Sequence, residues 1–280
     1  FCNVFRATDR VSQYMISNVI YNGQSCNPED KLFQIVAFRT FSKEATWDGV
    51  CAYLGHSPTL DDLASDAFSG ALKRAKEQNS TLYTGAFILC ATNTYSQPAK
   101  YLNHVELFRD MFLDTNLGDM LLKAKSLEEV YVLLHSYPLI GDFMSYQIAI
   151  DLNYSDLINF DENDFVKVGP GSLRGIKKVF EDTKGNTPEE IIMLMVENQD
   201  KEFKRLGLKF NGLFGRKLHA IDCQGLFCEV DKYCRLAIPE LKSARVRMKA
   251  SFAPKSAPTP LFLPPKWSLK TKSAYTSRNL

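Results

Sequence analysis

Helical spacing of apolar side chains recurs along this chain and constrains its fold more than any other feature. Between Phe5 and Tyr21 the apolar residues fall three or four positions apart, with Arg6 and Arg10 on the opposite side. The segment Thr187-Pro188-Glu189-Glu190 is a typical helix start, because threonine caps, proline suits the first turn and acids favour the N-terminus. No βαβ alternation and no internal repeat is found. The sequence therefore predicts an all-α, or nearly all-α, fold.

One stretch departs from this pattern. Leu82 to Thr94 is rich in tyrosine, phenylalanine, isoleucine and leucine, which favour strands. Its length and flanks fit a buried helix equally well. Both alternatives stay open for this segment.

Composition places the chain among ordinary globular proteins. Its 280 residues are 45% hydrophobic and 24% charged, and no apolar run reaches the roughly 18 residues that a membrane helix needs. The seven cysteines are scattered and include no CxxC pair. We therefore expect reduced thiols in a cytoplasmic protein, with no membrane association, no metal, no cofactor and no obligate protein partner.

The end of the chain differs in charge from its body. After Glu240 the sequence contains nine lysines and arginines and no acidic residue, and it becomes rich in proline. We predict one helical domain over residues 1–250 and a basic, proline-rich tail over residues 251–280. A basic end fits binding to a polyanion, but a solvated tail would have the same composition.

The segment Val168-Gly169-Pro170-Gly171-Ser172 predicts a tight turn that opens a helix running to Phe180. Glycines permit positive φ and expose backbone amides, and a helix N-terminus carries partial positive charge, so the turn would suit a phosphate oxygen. Gly175 would let another helix pack closely. The pattern resembles a helix-hairpin-helix near residues 160–180, although a plain interhelical turn would look the same. The predicted DNA-binding residues are Gly169, Gly171, Ser172, Arg174, Lys177 and Lys178.

Polar side chains also occur on helices that are otherwise apolar. Gln147, Asp151 and Tyr154 fall on one stripe of a predicted helix. A later helix places Asp222, Glu229 and Lys232 on one broad face. A buried carboxylate is costly unless it is paired or used chemically.

Two interpretations of these carboxylates stay open. Glu229 could pair with Lys232 or with an arginine for structural reasons. Alternatively, Asp151, Asp222 and Glu229 could converge near Gln147 to form a polar pocket for a base. Gln147 would then read a Watson–Crick edge, and Tyr146 or Tyr154 would stack on the base.

Other catalytic motifs are absent from the sequence. The glycine turn lacks the GK[ST] ending of a phosphate loop, and no GxGxxG, HExxH or GxSxG motif occurs. The lack of a phosphate loop argues against a kinase reaction in this chain itself.

Five short segments, taken in order, resemble a DNA-base hypermodification family. They are Phe38-Arg39-Thr40-Phe41 with Trp47, Gln147 to Tyr154, Gly169 to Gly175, Leu226 to Tyr233, and Leu263 to Trp267. Members of this family include the helical domain of 5-hydroxymethyl-deoxyuridine DNA kinases and the α-glutamyl/putrescinyl-thymine pyrophosphorylases. The resemblance extends to bacterial antiphage DNA glycosylases, which remove hypermodified bases from phage DNA.

The resemblance implies a glycosylase-like helical fold that acts on a modified pyrimidine in double-stranded DNA. The lysine that bifunctional glycosylases carry after the hairpin glycines is absent, so it implies a monofunctional DNA N-glycosylase used in defence against phages. Asp151 would assist the sugar chemistry. The implied catalytic residues are Asp151, Gln147 and Glu229, and the implied base pocket contains Arg39, Phe41, Tyr146, Tyr154, Asp222 and Lys232. The alternatives are a transferase acting on a phosphorylated hydroxymethyl-pyrimidine in DNA and a non-catalytic module that binds modified DNA.

Overall fold

The computed structural model describes residues 3–78, 81–85, 94–238, 240–241 and 261–270. Within these residues the chain is helical and contains no strand, which confirms the all-α prediction. The helices are α1 (Arg10–Met15), α2 (Pro28–Phe41), α3 (Glu44–Leu54), α4 (Leu60–Ala64), α5 (Ala67–Gln78), α6 (Lys100–Arg109), α7 (Leu117–Lys123), α8 (Leu127–His135), α9 (Asp142–Leu152), α10 (Pro170–Val179), α11 (Pro188–Arg205) and α12 (Ala220–Ala237).

Two predicted segments lie largely outside the described residues. The stretch with strand character includes residues 86–93, and the basic tail includes residues 251–260 and 271–280. None of the helices in the described ranges is both long enough and apolar enough to cross a lipid bilayer.

Local capping explains where several helices begin. Asn27 Oδ1 accepts a hydrogen bond from the Glu29 amide at 3.0 Å, just before Pro28 opens α2. At the start of α11, Thr187 and Glu190 form a reciprocal capping box. Both starts agree with the signals in the sequence.

The contacts between helices divide the chain into two compact units. The first unit comprises residues 10–160, and the second comprises residues 3–9 together with the described residues from 161 onward. The single helical domain over residues 1–250 stays a prediction.

In the first unit, α2 and α9 are buried on nearly every side. Residues 31–41 of α2 and residues 144–152 of α9 are all buried, the few polar side chains included, because both helices carry apolar side chains on every side. Phe33 is the centre of an aromatic cluster in which Phe68, Phe108 and Phe112 pack edge-on at centroid distances of 5.3 to 5.8 Å. Any polar group on the inner turns of α9 therefore lies in the core.

In the second unit, α10 packs closely against α12, and this contact accounts for the glycines of the predicted turn. Gly169 has φ of −89°, and Gly171 already lies inside α10, so neither glycine uses the positive φ that this residue type permits. A Cβ atom on Gly171 would lie 2.3 Å from Cys228 Sγ. A Cβ atom on Gly175 would lie 1.9 Å from the Phe227 carbonyl oxygen, which confirms the close packing expected there.

This contact makes a testable prediction about two glycines of neighbouring helices. Gly175→Ala should lower the free energy of unfolding by about 3 kcal/mol, because its methyl group would overlap the backbone of α12. Gly225→Ala is the matched control, since a Cβ atom at Gly225 meets nothing within 4 Å and alanine is the better helix former by about 0.5–1 kcal/mol. Denaturant unfolding of the two variants measures both values, and equal stabilities would contradict the packing.

Candidate functional site

Asp151 forms a buried ion pair with Arg39. Both side chains are almost completely excluded from solvent, with exposures of 0% and 1%. Arg39 Nη2 donates to Asp151 Oδ1 at 3.1 Å, and Arg39 Nε donates to Asp151 Oδ2, so the guanidinium binds the carboxylate with two donors. In this conformation the carboxylate faces an arginine of α2 rather than solvent.

The other base-pocket residues predicted in the first unit are also buried. Gln147 and Tyr146 lie on inner turns of α9, and the carbonyl of Tyr154 accepts a hydrogen bond from the Tyr21 hydroxyl at 2.9 Å. The Phe41 ring packs against Tyr83 at a centroid distance of 5.1 Å. A base would reach these side chains only if the unit opened, because residues 144–152 of α9 are all buried.

The ion pair predicts a specific pattern of stabilities. Asp151→Ala should cost about 3–5 kcal/mol of unfolding free energy, because it leaves the Arg39 guanidinium buried without its carboxylate. The double variant Arg39→Met with Asp151→Leu should recover most of that loss, since no buried charge remains.

Thermal unfolding of the two single variants and the double variant measures the coupling between the residues. Glu77→Ala is the control, because Glu77 pairs with Arg74 on the surface and should change stability little. Additive losses in the double variant would show that the two side chains do not depend on each other.

Asp222 caps its own helix. Its Oδ2 accepts a hydrogen bond from the His219 amide at 3.0 Å, and its Oδ1 accepts one from the Arg6 amide at 2.8 Å. Burial raises the pKa of Asp222 to about 6, although both backbone donors act to lower it. Asp222 therefore joins the segment 3–9 to α12.

Glu229 and Lys232 are partners on α12. Lys232 Nζ donates a hydrogen bond to Glu229 Oε1, one turn away on the same helix. This is the structural pairing that the sequence left open as one alternative. Convergence of these residues with Gln147 and Asp151 stays a prediction, because the two pairs belong to different units.

The cations of α10 are bound by a carboxylate that sequence reasoning missed. Asp231, which is 1% exposed, accepts hydrogen bonds from Lys178 Nζ at 2.8 Å and from Arg174 Nε at 3.1 Å. Arg235 Nη2 lies 3.5 Å from the same carboxylate. The Lys178 side chain is 7% exposed and paired with Asp231, so its ammonium is held inside the unit, while its predicted role in DNA binding stays a prediction. Lys177 is exposed on the same helix.

No local signal in the sequence identifies Asp231 as the partner of α10. Its spacing to Arg235 on α12 indicates only an ordinary pair four residues apart. Arg174 and Lys178 are 57 and 53 residues away along the chain.

The first turn of α10 begins without a side-chain cap. Gly169 provides no side-chain cap, and Val168 donates its amide to Glu189 Oε1 at 3.0 Å. The helix therefore begins with amides that no side chain caps and carries partial positive charge there. Ser172 is fully buried, and its Oγ has no hydrogen-bond partner in the described part of the chain.

The Asp231 cluster makes a prediction about pH. Burial alone would raise the pKa of Asp231, but the hydrogen bonds from Lys178 and Arg174 outweigh it and lower the pKa below its ordinary 3.8. An acid whose pKa is lower in the folded state stabilises the fold above the unfolded pKa, and that contribution is lost as pH falls through the folded pKa.

Asp231→Asn should therefore destabilise the protein by about 2–4 kcal/mol at neutral pH. Its difference from the wild type should shrink as pH is lowered below 3.8. Chemical denaturation across this range measures the difference, with the exposed Glu197→Gln as control. A difference that does not change with pH would contradict the pairing.

Comparison with known proteins assigns the chain to a family. Residues 1–243 match the family described as 5-hmdU DNA kinase, helical domain. The chain belongs to this family. The matched range contains all twelve helices given above and confirms the family resemblance. Four of the five short segments lie within it, and the segment Leu263 to Trp267 lies beyond it.

A curated relative has the same description. The chain is 26% identical over 251 residues to the 5-hmdU DNA kinase of Bacillus phage SP10. The alignment covers 83% of this chain and 39% of that kinase, so the chain spans well under half the length of its relative. No solved structure matches this helical-domain chain.

Proposed function

We propose that this chain serves a DNA-base hypermodification reaction, in which a group is transferred to the hydroxymethyl oxygen of a pyrimidine held in DNA. Membership of the 5-hmdU DNA kinase helical-domain family over residues 1–243 carries the proposal. The name of the phage relative supplies the substrate class, which is DNA containing 5-hydroxymethyl-deoxyuridine.

The part of the reaction that we assign to these residues is gripping the DNA and selecting the base. The sequence has no phosphate loop of the GK[ST] type, and its residues offer DNA a helix start without a side-chain cap and an exposed lysine, Lys177. Helix N-termini and lysines are common phosphate contacts in protein–DNA interfaces.

Base excision is the weaker hypothesis. It requires a carboxylate or an activated water beside the sugar carbon, because the N-glycosidic bond breaks there. Asp151, the residue proposed for this role, is buried and bound by Arg39. Transfer to a hydroxymethyl group leaves the glycosidic bond intact and does not need a carboxylate at that position.

The proposal predicts a preference among DNA duplexes. The 280-residue chain should bind a duplex with one 5-hydroxymethyl-deoxyuridine more tightly than the same duplex with thymidine in its place. Lys177→Ala should weaken binding to both duplexes equally and reduce the slope of log affinity against log salt by about 1. Lys73→Ala, which removes an exposed lysine of α5, is the control.

Fluorescence anisotropy at several salt concentrations measures these affinities, and equal affinity for the two duplexes would contradict the proposed substrate class.

Nucleoside mass analysis of DNA incubated with the chain then identifies the chemistry. A heavier base that stays attached to its sugar, formed only with a group donor, supports transfer. Abasic sites and a released base, formed without a donor, would establish excision instead. Binding without chemistry would fit the DNA-binding role.

A further inference from the structure

The last turn of α11 and the connection that follows it form a basic segment of the second unit. Residues 201–217 contain six cationic residues and one carboxylate, Glu202. The cationic residues are Lys201, Lys204, Arg205, Lys209, Arg216 and Lys217. Lys201, Lys204 and Lys209 are exposed and form no ion pair within the described residues. This charge suits a polyanion.

A rigid turn projects from this segment. Leu213 and Arg216 exchange two backbone hydrogen bonds, of 2.9 and 3.0 Å, and enclose Phe214 and Gly215. The two enclosed residues have φ of 52° and 92°, so the turn is of the mirror-image type in which both central residues are left-handed. Asparagine, aspartate or glycine normally occupies the first central position, because a larger side chain is strained there.

Contacts of Arg216 hold the base of the turn. Its guanidinium carbon lies 3.7 Å from the centroid of the Trp267 ring, and its Nη2 donates to Glu162 Oε1 at 2.7 Å. Glu162 is buried, with 5% of its side chain exposed. A Cβ atom on Gly212 would lie 2.2 Å from the Arg216 carbonyl oxygen, so the chain also closes tightly on the other side. The turn is therefore a preformed projection.

A large aromatic residue, Phe214, occupies the strained position of the turn. The side chain of Phe214 is 42% exposed and stacks on no ring among the described residues. Phe210, four residues earlier, stacks on Phe203 at a centroid distance of 4.7 Å and on Phe5 at 6.1 Å. Left-handed backbone at a partly exposed aromatic residue is the kind of outlier from which a functional role is inferred.

We propose that Phe214 is an apolar wedge that enters the base stack of DNA whose phosphates are held by the surrounding lysines. Proteins that kink or unstack DNA insert such side chains between base steps, and a rigid aromatic ring loses little conformational entropy on insertion. The wedge would lower the cost of turning the modified base out of the helix. This inference rests on the proposed function, because it takes DNA as the partner.

The positive charge of this segment favours a DNA duplex as its partner. Three exposed lysines that form no ion pair within the described residues precede the turn and suit the phosphates of a duplex. The four exposed apolar side chains of the segment are separated by polar, glycine and basic residues. They are Leu206, Leu208, Phe210 and Phe214. Lysine next to phenylalanine would also suit an anionic lipid surface, so the experiment includes vesicles.

The test uses Phe214→Asn in the 280-residue chain. Asparagine tolerates left-handed backbone, so the variant should keep the turn and fold at least as well as the wild type while the ring is lost. The probe is a duplex with 2-aminopurine beside a single 5-hydroxymethyl-deoxyuridine. We expect the wild type to raise 2-aminopurine fluorescence on binding, and we expect Phe214→Asn to abolish that rise and weaken affinity about tenfold.

Two further variants control the result. Phe214→Trp should retain the fluorescence rise, because indole also stacks. Phe262→Ala should behave as the wild type, since it removes a ring of similar exposure, 40%, in the same unit. Equal unfolding midpoints of the variants exclude a folding defect as the cause.

The outcomes separate the wedge from the proposed function. A Phe214→Asn variant that binds and unstacks DNA as the wild type does would overturn the wedge and leave the proposed function intact. A wild type that binds no duplex would overturn both. Loss of binding to phosphatidylglycerol vesicles by Phe214→Asn, with the DNA signal unchanged, would assign the turn to a membrane instead.

Discussion

The ion pair between Arg39 and Asp151 is the interaction on which the first unit depends. Taking two charges out of water costs several kcal/mol for each ion, and only good geometry with further hydrogen bonds offsets that cost. The two donors of Arg39 meet both oxygens of Asp151, so the pair fixes how α2 lies along α9. A shift of one residue along either helix would leave both charges buried without a partner. The polar stripe of α9 thus serves the architecture of the core.

The second unit depends on a related arrangement at the contact of α10 with α12. Gly175 brings the two backbones together, and Asp231 gathers cations from both helices around one buried carboxylate. Three cations, Arg174, Lys178 and Arg235, surround the Asp231 carboxylate and offset the cost of burying its charge.

Local features of this fold could be predicted from the sequence, and long-range ones could not. The capping box of Thr187 with Glu190 follows from residues three positions apart. Gly175 indicated a close contact with another helix but did not identify Phe227 as the residue it meets. Asp151 and Asp231 have partners 112 and 57 residues away, and periodicity identifies a buried carboxylate without identifying its partner. Phe214 was missed for a different reason, because its strain depends on a backbone conformation that residue type does not reveal.

Whether the reaction takes place at the sugar or at a group on C5 of the base decides what an enzyme's site needs. Excision breaks the bond between base and sugar, so an enzyme must bring an acid or an activated water to the sugar itself. A group on C5 of a pyrimidine points into the major groove, on the far side of the base from the sugar. Chemistry there needs a firm hold on the phosphates and access to one base edge. An uncapped helix start, exposed lysines and a preformed aromatic turn suit that task, while the buried carboxylates hold the fold together.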